Sequence, residues 1–77
     1  MRLVESPTPL SPREREAVEV YARGLSRADV ARRLGISHRT ADVHLSHAMG
    51  KLALRNQIAV ICYALRSGWV TVDQLAA

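Results

Sequence analysis

Helix starts and stops divide this chain more firmly than any other feature. Ser11-Pro12-Arg13-Glu14 sets a serine three residues ahead of a glutamate, with proline at the first helical position. In that arrangement hydroxyl and carboxylate each accept a backbone N–H of the other's turn, and proline lacks only an N–H that no helix would use. Ser26-Arg27-Ala28-Asp29 opens a second, short helical segment, and Ser37 and Asn56 stand as caps ahead of two further periodic segments. Gly24, Gly35 and Gly68 supply stops for the first, second and fourth segments. The spacing predicts a helix from Pro12 that stops at Gly24, a short second helix closed by Gly35, a third over 38–53 and a fourth over 57–67. Nothing alternates as a strand does, and no repeat or low-complexity tract is present. The expected fold is all-α and tetrahelical, a single helical domain over 11–70. Residues 1–10, with Pro7 and Pro9, read as a flexible N-terminal arm whose Leu10 docks at its end. Residues 71–77 read as a C-terminal tail, where Thr71-Val72-Asp73-Gln74 can cap no more than a frayed turn.

Periodicity then assigns faces. Ala17, Val18, Tyr21 and Ala22 point inward from the first helix, and Val30, Ala31 and Leu34 from the second, with Ile36 as a plug in the turn. In the third, Ala41, Leu45, Ala48 and Leu52 share the inner face while Arg39, Asp42, Val43, Ser46 and Gly50 lie opposite. The fourth is apolar all round from Ile58 to Leu65. Val60, Ile61 and Ala64 serve a core, which leaves Ile58, Ala59 and Cys62 on a second side with Arg66. A helix apolar on two sides needs two partners. At 77 residues the chain is near the lower limit for a self-sufficient core. A homodimer through Ile58, Ala59 and Cys62, with Leu65 and Arg66 at its edge, is therefore expected.

Composition excludes several classes. With 48% apolar residues the chain is not wholly disordered, and its longest apolar run is too short to span a bilayer, so no membrane partner is expected. The start, MRLVESPTPL, has no apolar core of signal-peptide length, and the single Cys62 cannot form an internal disulfide. A cytoplasmic, nucleoid-associated location is the expectation. His38, His44 and His47 have no paired Cys or Glu motif to make a metal site, His44 reading as a half-buried packing residue and His47 as a groove-edge contact. No nucleophile, base and orienting group occur together, and no glycine loop cradles phosphate, so neither an enzyme nor a cofactor is expected.

Eleven Lys and Arg against seven Asp and Glu give a formal charge of +4, which suits a polyanionic partner. The distribution sharpens this: Arg27, Arg32, Arg33, Arg39, Lys51 and Arg55 fall in or just after the second and third helices, against only Asp29 and Asp42. Two short helices joined by LGIS make a helix-turn-helix, in which glycine permits the tight turn and the second helix is thrust outward. Its capped N-terminus offers N–H groups to phosphate, and its exposed face fits the major groove of double-stranded DNA.

Over residues 10–70 the chain resembles the LuxR-type (GerE-type) helix-turn-helix domain, in the pieces L-S-PRERE, G-L-S, VA-RL-IS-RT, VHL, KL and RN, followed by an apolar helix ending YALRSG. The resemblance implies a four-helix DNA-binding domain of bacterial transcription regulators, with the third helix in the major groove and the fourth as dimer contact. It implies that Ser26 and Arg27 approach the DNA backbone, and that Ser37, Thr40 and Lys51 contact phosphates. Val43 and His44 match the family pattern. Such domains usually sit behind a receiver or sensing domain; none is present in this sequence, so a small stand-alone regulator is expected, with signal input from a partner, from expression level or from nothing.

The departures from the pattern are specific. Asp42 stands where the family commonly has lysine, and Ser46 where some members place a second base-reading lysine. Ala41 and Ala48 replace larger aliphatics, Gly50 lies inside the helix, and Ala53 takes the place of a left-handed glycine cap. The third helix should be less stable than its relatives, since a mid-helix glycine costs up to about 1 kcal/mol against alanine. Three readings of Asp42 stand open: it holds Arg39, three residues away, in one rotamer for base reading; it accepts from a cytosine amino group; or it marks a drifted surface where a carboxylate weakens binding. The expected function is sequence-specific DNA binding through Ser26, Arg27, Ser37, Arg39, Thr40, Asp42, Val43, Ser46, His47 and Lys51. The alternative is a protein-binding module that engages RNA polymerase, a sigma factor or another regulator.

Overall fold

The computed structural model describes residues 10–75, which form four α-helices and one 3₁₀ turn without a strand. Helix α1 spans Pro12–Tyr21, α2 Arg27–Leu34, α3 His38–Lys51 and α4 Gln57–Ser67, followed by a single 3₁₀ turn at Val72–Gln74. The flexible-arm expectation lies outside the described residues apart from Leu10, which packs against the core, and so do the last two residues of the tail.

The caps form as their chemistry requires. Ser11 Oγ accepts from the Glu14 N–H at 3.2 Å while Glu14 Oε1 accepts from the Ser11 N–H at 2.9 Å, and Ser26 with Asp29 closes the same reciprocal box on α2. Ser37 and Asn56 accept from the Thr40 and Ala59 N–H groups. Helix α1 gives way to a turn after Tyr21, three residues before the predicted stop at Gly24. Helix α3 ends at Lys51, not at Ala53. Ala53 takes the left-handed conformation at φ 57°. Its N–H bonds Gly50 O and the Leu54 N–H bonds Met49 O, the paired hydrogen bonds of a Schellman stop. Gly35 at φ 68° and Gly68 at φ 77° end α2 and α4 in the same conformation without a side-chain penalty.

Helix α3 packs across both α1 and α2, and α4 lies chiefly on α1. The core consists of Ala17, Val18, Tyr21 and Ala22 from α1, Val30 and Ala31 from α2, Ala41, Leu45, Ala48 and Met49 from α3, Val60 and Ala64 from α4, and Val70 beyond it. Ala41 and Ala48 are fully buried, so their small side chains let α3 sit close to its supports. Gln57 donates to Tyr21 O at 3.1 Å and Leu25 O at 2.7 Å, which fixes the start of α4 against the end of α1. That anchor sets the rotation of α4 and turns Ile58 outward, 73% exposed. The tail is not detached where it is described: Val70 is buried and Leu75 packs on the core.

Candidate nucleic-acid interface

The second and third helices and the turn Gly35-Ile36 build the candidate surface. Ile36 is half-buried and its N–H bonds Ala31 O at 3.0 Å, so the turn is pinned by apolar contact and by the α2 stop at once. Ser37 then opens α3 with a hydroxyl that accepts from the Thr40 N–H at 3.0 Å and donates to Thr40 Oγ1 at 2.9 Å. The first turn of α3 contains no acidic residue, so no carboxylate of that turn offsets the positive end of its dipole.

Along α3 the outward face carries Arg39, Thr40, Val43, Ser46, His47 and Gly50, all exposed. Asp42 and His44 are half-buried at its edges. Of the outward face read from periodicity, Arg39, Val43, Ser46 and Gly50 are exposed while Asp42 turns toward α2, and Arg39 makes no ion pair with a carboxylate among the described residues.

Both flanks of this face are tied to the supporting helices. On the α2 side, Arg27 Nη1 lies 3.1 Å from Asp42 Oδ1, and the same guanidinium sits 5.2 Å from the centre of the Tyr21 ring. His38 Nδ1 approaches the other carboxylate oxygen at 3.4 Å. Asp42 therefore does not form the i,i+3 pair with Arg39. Arg27 reaches it from the packed neighbour with its own position already set by Tyr21, whereas Arg39 extends from the outer face into solvent. On the α1 side, Lys51 Nζ lies 2.8 Å from Glu14 Oε1, with His47 Nδ1 3.9 Å from Oε2. Glu14 is buried, and the hydrogen bonds from the Lys51 ammonium and the Ser11 N–H hold its carboxyl below the ordinary glutamate value. Sequence reasoning read Glu14 only as a cap and missed this second role. The one signal available was an inward-facing position on α1 occupied by an acid, which demands a partner.

Two further arginines brace the hairpin. Arg13 Nη2 donates to Leu34 O at 3.3 Å, satisfying a carbonyl at the end of α2, and Arg32 pairs with Asp29 on α2 itself. The Ser26 N–H and hydroxyl bond the Asp29 carboxylate and lower its pKa, so the N-terminal turn of α2 already carries an anion of its own. The residues assigned to a dimer contact divide: Ile58, Cys62 and Arg66 are exposed on one side of α4, Ala59 is half-buried, and Leu65 is half-buried against the core. No group of three His, Cys, Asp or Glu suited to a metal occurs among the described residues, and none of their helices is long and apolar enough to cross a membrane.

The chain matches the model of the bacterial regulatory proteins, luxR family (GerE), over residues 8–64. It is 41% identical over 59 residues to a Mycobacterium bovis protein named as an HTH-type transcriptional regulator, an alignment that covers 77% of this chain and 7% of that protein. Identity to the transcriptional regulatory protein MctR of Rhizobium johnstonii is 36% over 70 residues, 91% of this chain and 33% of the relative. To the nitrate/nitrite response regulator protein NarL of Escherichia coli strain K12 it is 39% over 49 residues, 64% and 23% of the two lengths. The chain thus spans about a third or less of the length of these curated relatives. Their names are those of regulators, not enzymes.

Proposed function

Because the chain belongs to the luxR family of bacterial regulatory proteins, we propose that it binds double-stranded DNA and regulates transcription, with α3 in the major groove. The observation that carries this reading is the outward face of α3: exposed Arg39 and Val43 behind a serine-capped N-terminus, on a helix whose two flanks are locked to α1 and α2. A helix already folded on its supports can enter a groove without paying to order itself first. Ser37, Thr40 and Arg39 approach phosphates and base edges at the start of α3, Val43 and Ser46 face the bases, and His47 lies at the groove edge. Ser26 and Arg27 approach the backbone from α2, and Lys51 from the end of α3 while remaining bonded to Glu14. The protein acts as a homodimer through α4 in the bacterial cytoplasm, at the nucleoid.

A protein-binding role, toward RNA polymerase or a sigma factor, is favoured by one feature only: Asp42 and Ser46 leave the outer face of α3 with a single cation, Arg39, between its cap and His47. Duplex affinity as a function of salt separates the two. DNA binding through phosphates gives a linear fall of log affinity with log salt, steeper by roughly 0.9 per phosphate neutralised. Arg39→Ala should weaken binding and make that slope shallower. A chain that binds no duplex from a random-sequence pool, even at low salt, has a protein partner instead.

A further inference from the structure

We propose that the Asp42 carboxylate reads a cytosine in the major groove, with Arg27 as the residue that positions it. The inference rests on the placement of α3 in the groove proposed above. It answers why an acid occupies the reading helix of a basic domain.

The geometry separates Asp42 from a stray surface carboxylate. Oδ1 accepts from Arg27 of α2 at 3.1 Å, and His38 Nδ1 of α3 lies 3.4 Å from Oδ2. Arg27 itself lies over the Tyr21 ring at 5.2 Å, so the group that bonds Oδ1 has a second contact on the supporting helices. A carboxylate oxygen has two lone pairs, so each keeps one acceptor site, and the side chain remains 41% exposed. The Arg27 charge offsets the negative charge of Asp42 and so reduces the penalty of bringing it near phosphates.

The neighbours permit approach. Val43, Ser46 and Gly50, on the adjacent outer stripe, have short side chains, so the helix can sit deep enough for the short aspartate to reach a base. A carboxylate can only accept, and the major groove offers two amino donors, cytosine N4 and adenine N6. Adenine sets its N7 acceptor beside N6, which repels a second acceptor, whereas cytosine presents N4 with only a C–H neighbour. Cytosine is therefore preferred.

Selection of sites from a random duplex pool tests this, run on the full chain as wild type, Asp42→Ala, Asp42→Asn, Arg27→Ala and Arg27→Lys. Wild type should enrich a cytosine at one position of each half-site. Asp42→Ala should lose about five- to tenfold discrimination at that position, with preferences at the other positions of the site retained. Asp42→Asn, matching adenine N6 and N7, should move the preference toward adenine. Arg27→Ala should blunt the same position and Arg27→Lys should restore it, an effect that mere loss of a phosphate contact would not produce. An unchanged motif in Asp42→Ala overturns the cytosine reading and leaves DNA binding standing, as does a uniform gain in affinity for all sequences. Arg27→Ala that weakens every site equally while the cytosine preference persists overturns the positioning role. Wild type without any duplex affinity overturns the proposed function and this inference with it.

Discussion

Lys51 Nζ and Glu14 Oε1 meet at 2.8 Å and join the last turn of α3 to the first turn of α1, thirty-seven residues away in sequence. The same oxygen accepts the Ser11 N–H at 2.9 Å, so one carboxylate both caps α1 and fixes the far end of the outward helix. The buried face of Ala41, Leu45, Ala48 and Met49 seats α3 on its supports, and this pair and Arg27–Asp42 on the opposite flank bridge its two edges to α1 and α2. In the proposed function that orientation matters, because a helical face offered to a groove is useful only if the supports hold it outward.

Acidification should expose the contribution of Glu14. Its carboxyl is held below the ordinary value of 4.5, first by the Lys51 hydrogen bond and then by the Ser11 N–H. A group with a lowered folded pKa contributes stability that is present above its unfolded value and disappears as pH falls through the folded one. Wild type should therefore melt above Glu14→Gln at neutral pH, and the gap should close on acidification below about pH 4.5. Melting temperatures of both proteins across this range decide it; a gap independent of pH would show that the charge of Glu14 is not what matters.

Ala53→Gly should stabilise the domain. An alanine at φ 57° suffers contact between its Cβ and the following carbonyl that glycine avoids, a difference of about 1 kcal/mol. For a domain of this size that corresponds to a rise in melting temperature of roughly 4–8 °C. Gly35→Ala, at φ 68° in the turn of the hairpin, should do the reverse. Calorimetry on the pair checks both signs.

Gly50 is open to a simpler experiment. A Cβ built there meets nothing within 4 Å, and its backbone is helical, so Gly50→Ala should add up to about 1 kcal/mol. If the glycine serves close approach to the DNA backbone, the variant should be more stable and bind duplex more weakly. Unchanged affinity would mark Gly50 as a plain cost to α3.

The elements were legible in the sequence because their signals are local. Ser11 with Glu14, Ser26 with Asp29, Ser37 and Asn56 each act within one turn, and α4 spans the range its cap and Gly68 imply. The end of α3 was less so. Its stop is an alanine whose left-handed conformation comes from the surrounding hydrogen bonds, so residue type alone carries the helix two residues too far. The ion pairs at the two flanks of α3 were hidden for a different reason. Arg27 and Asp42 are fifteen residues apart and Lys51 and Glu14 thirty-seven, and no periodicity within a helix predicts a partner on another. Reading along α3 offered Arg39 as the neighbour of Asp42; packing supplied Arg27.

Self-association through α4 is the last expectation, and the arrangement of that helix gives it a definite form. Gln57 is tied to Tyr21 O and Leu25 O, so the helix cannot rotate to bury Ile58 in its own core. Ile58 stays 73% exposed, and exposed Cys62 follows one turn later. Covering such a stripe contributes about 25 cal/mol for each Å² removed from water, and a two-fold axis would cover it twice. Thermal stability should then rise with protein concentration. Ile58→Glu should abolish the association without harming the fold, because a carboxylate in the first turn of a helix favours its N-terminal dipole. Sedimentation equilibrium on wild type and variant, each with and without duplex, is the measurement. Cys62 adds a second readout: near a two-fold axis it should cross-link to its mate on mild oxidation if the Cα atoms come within about 7 Å. A wild type that stays monomeric at high micromolar concentration in both conditions would mean that the exposed side of α4 serves a different partner.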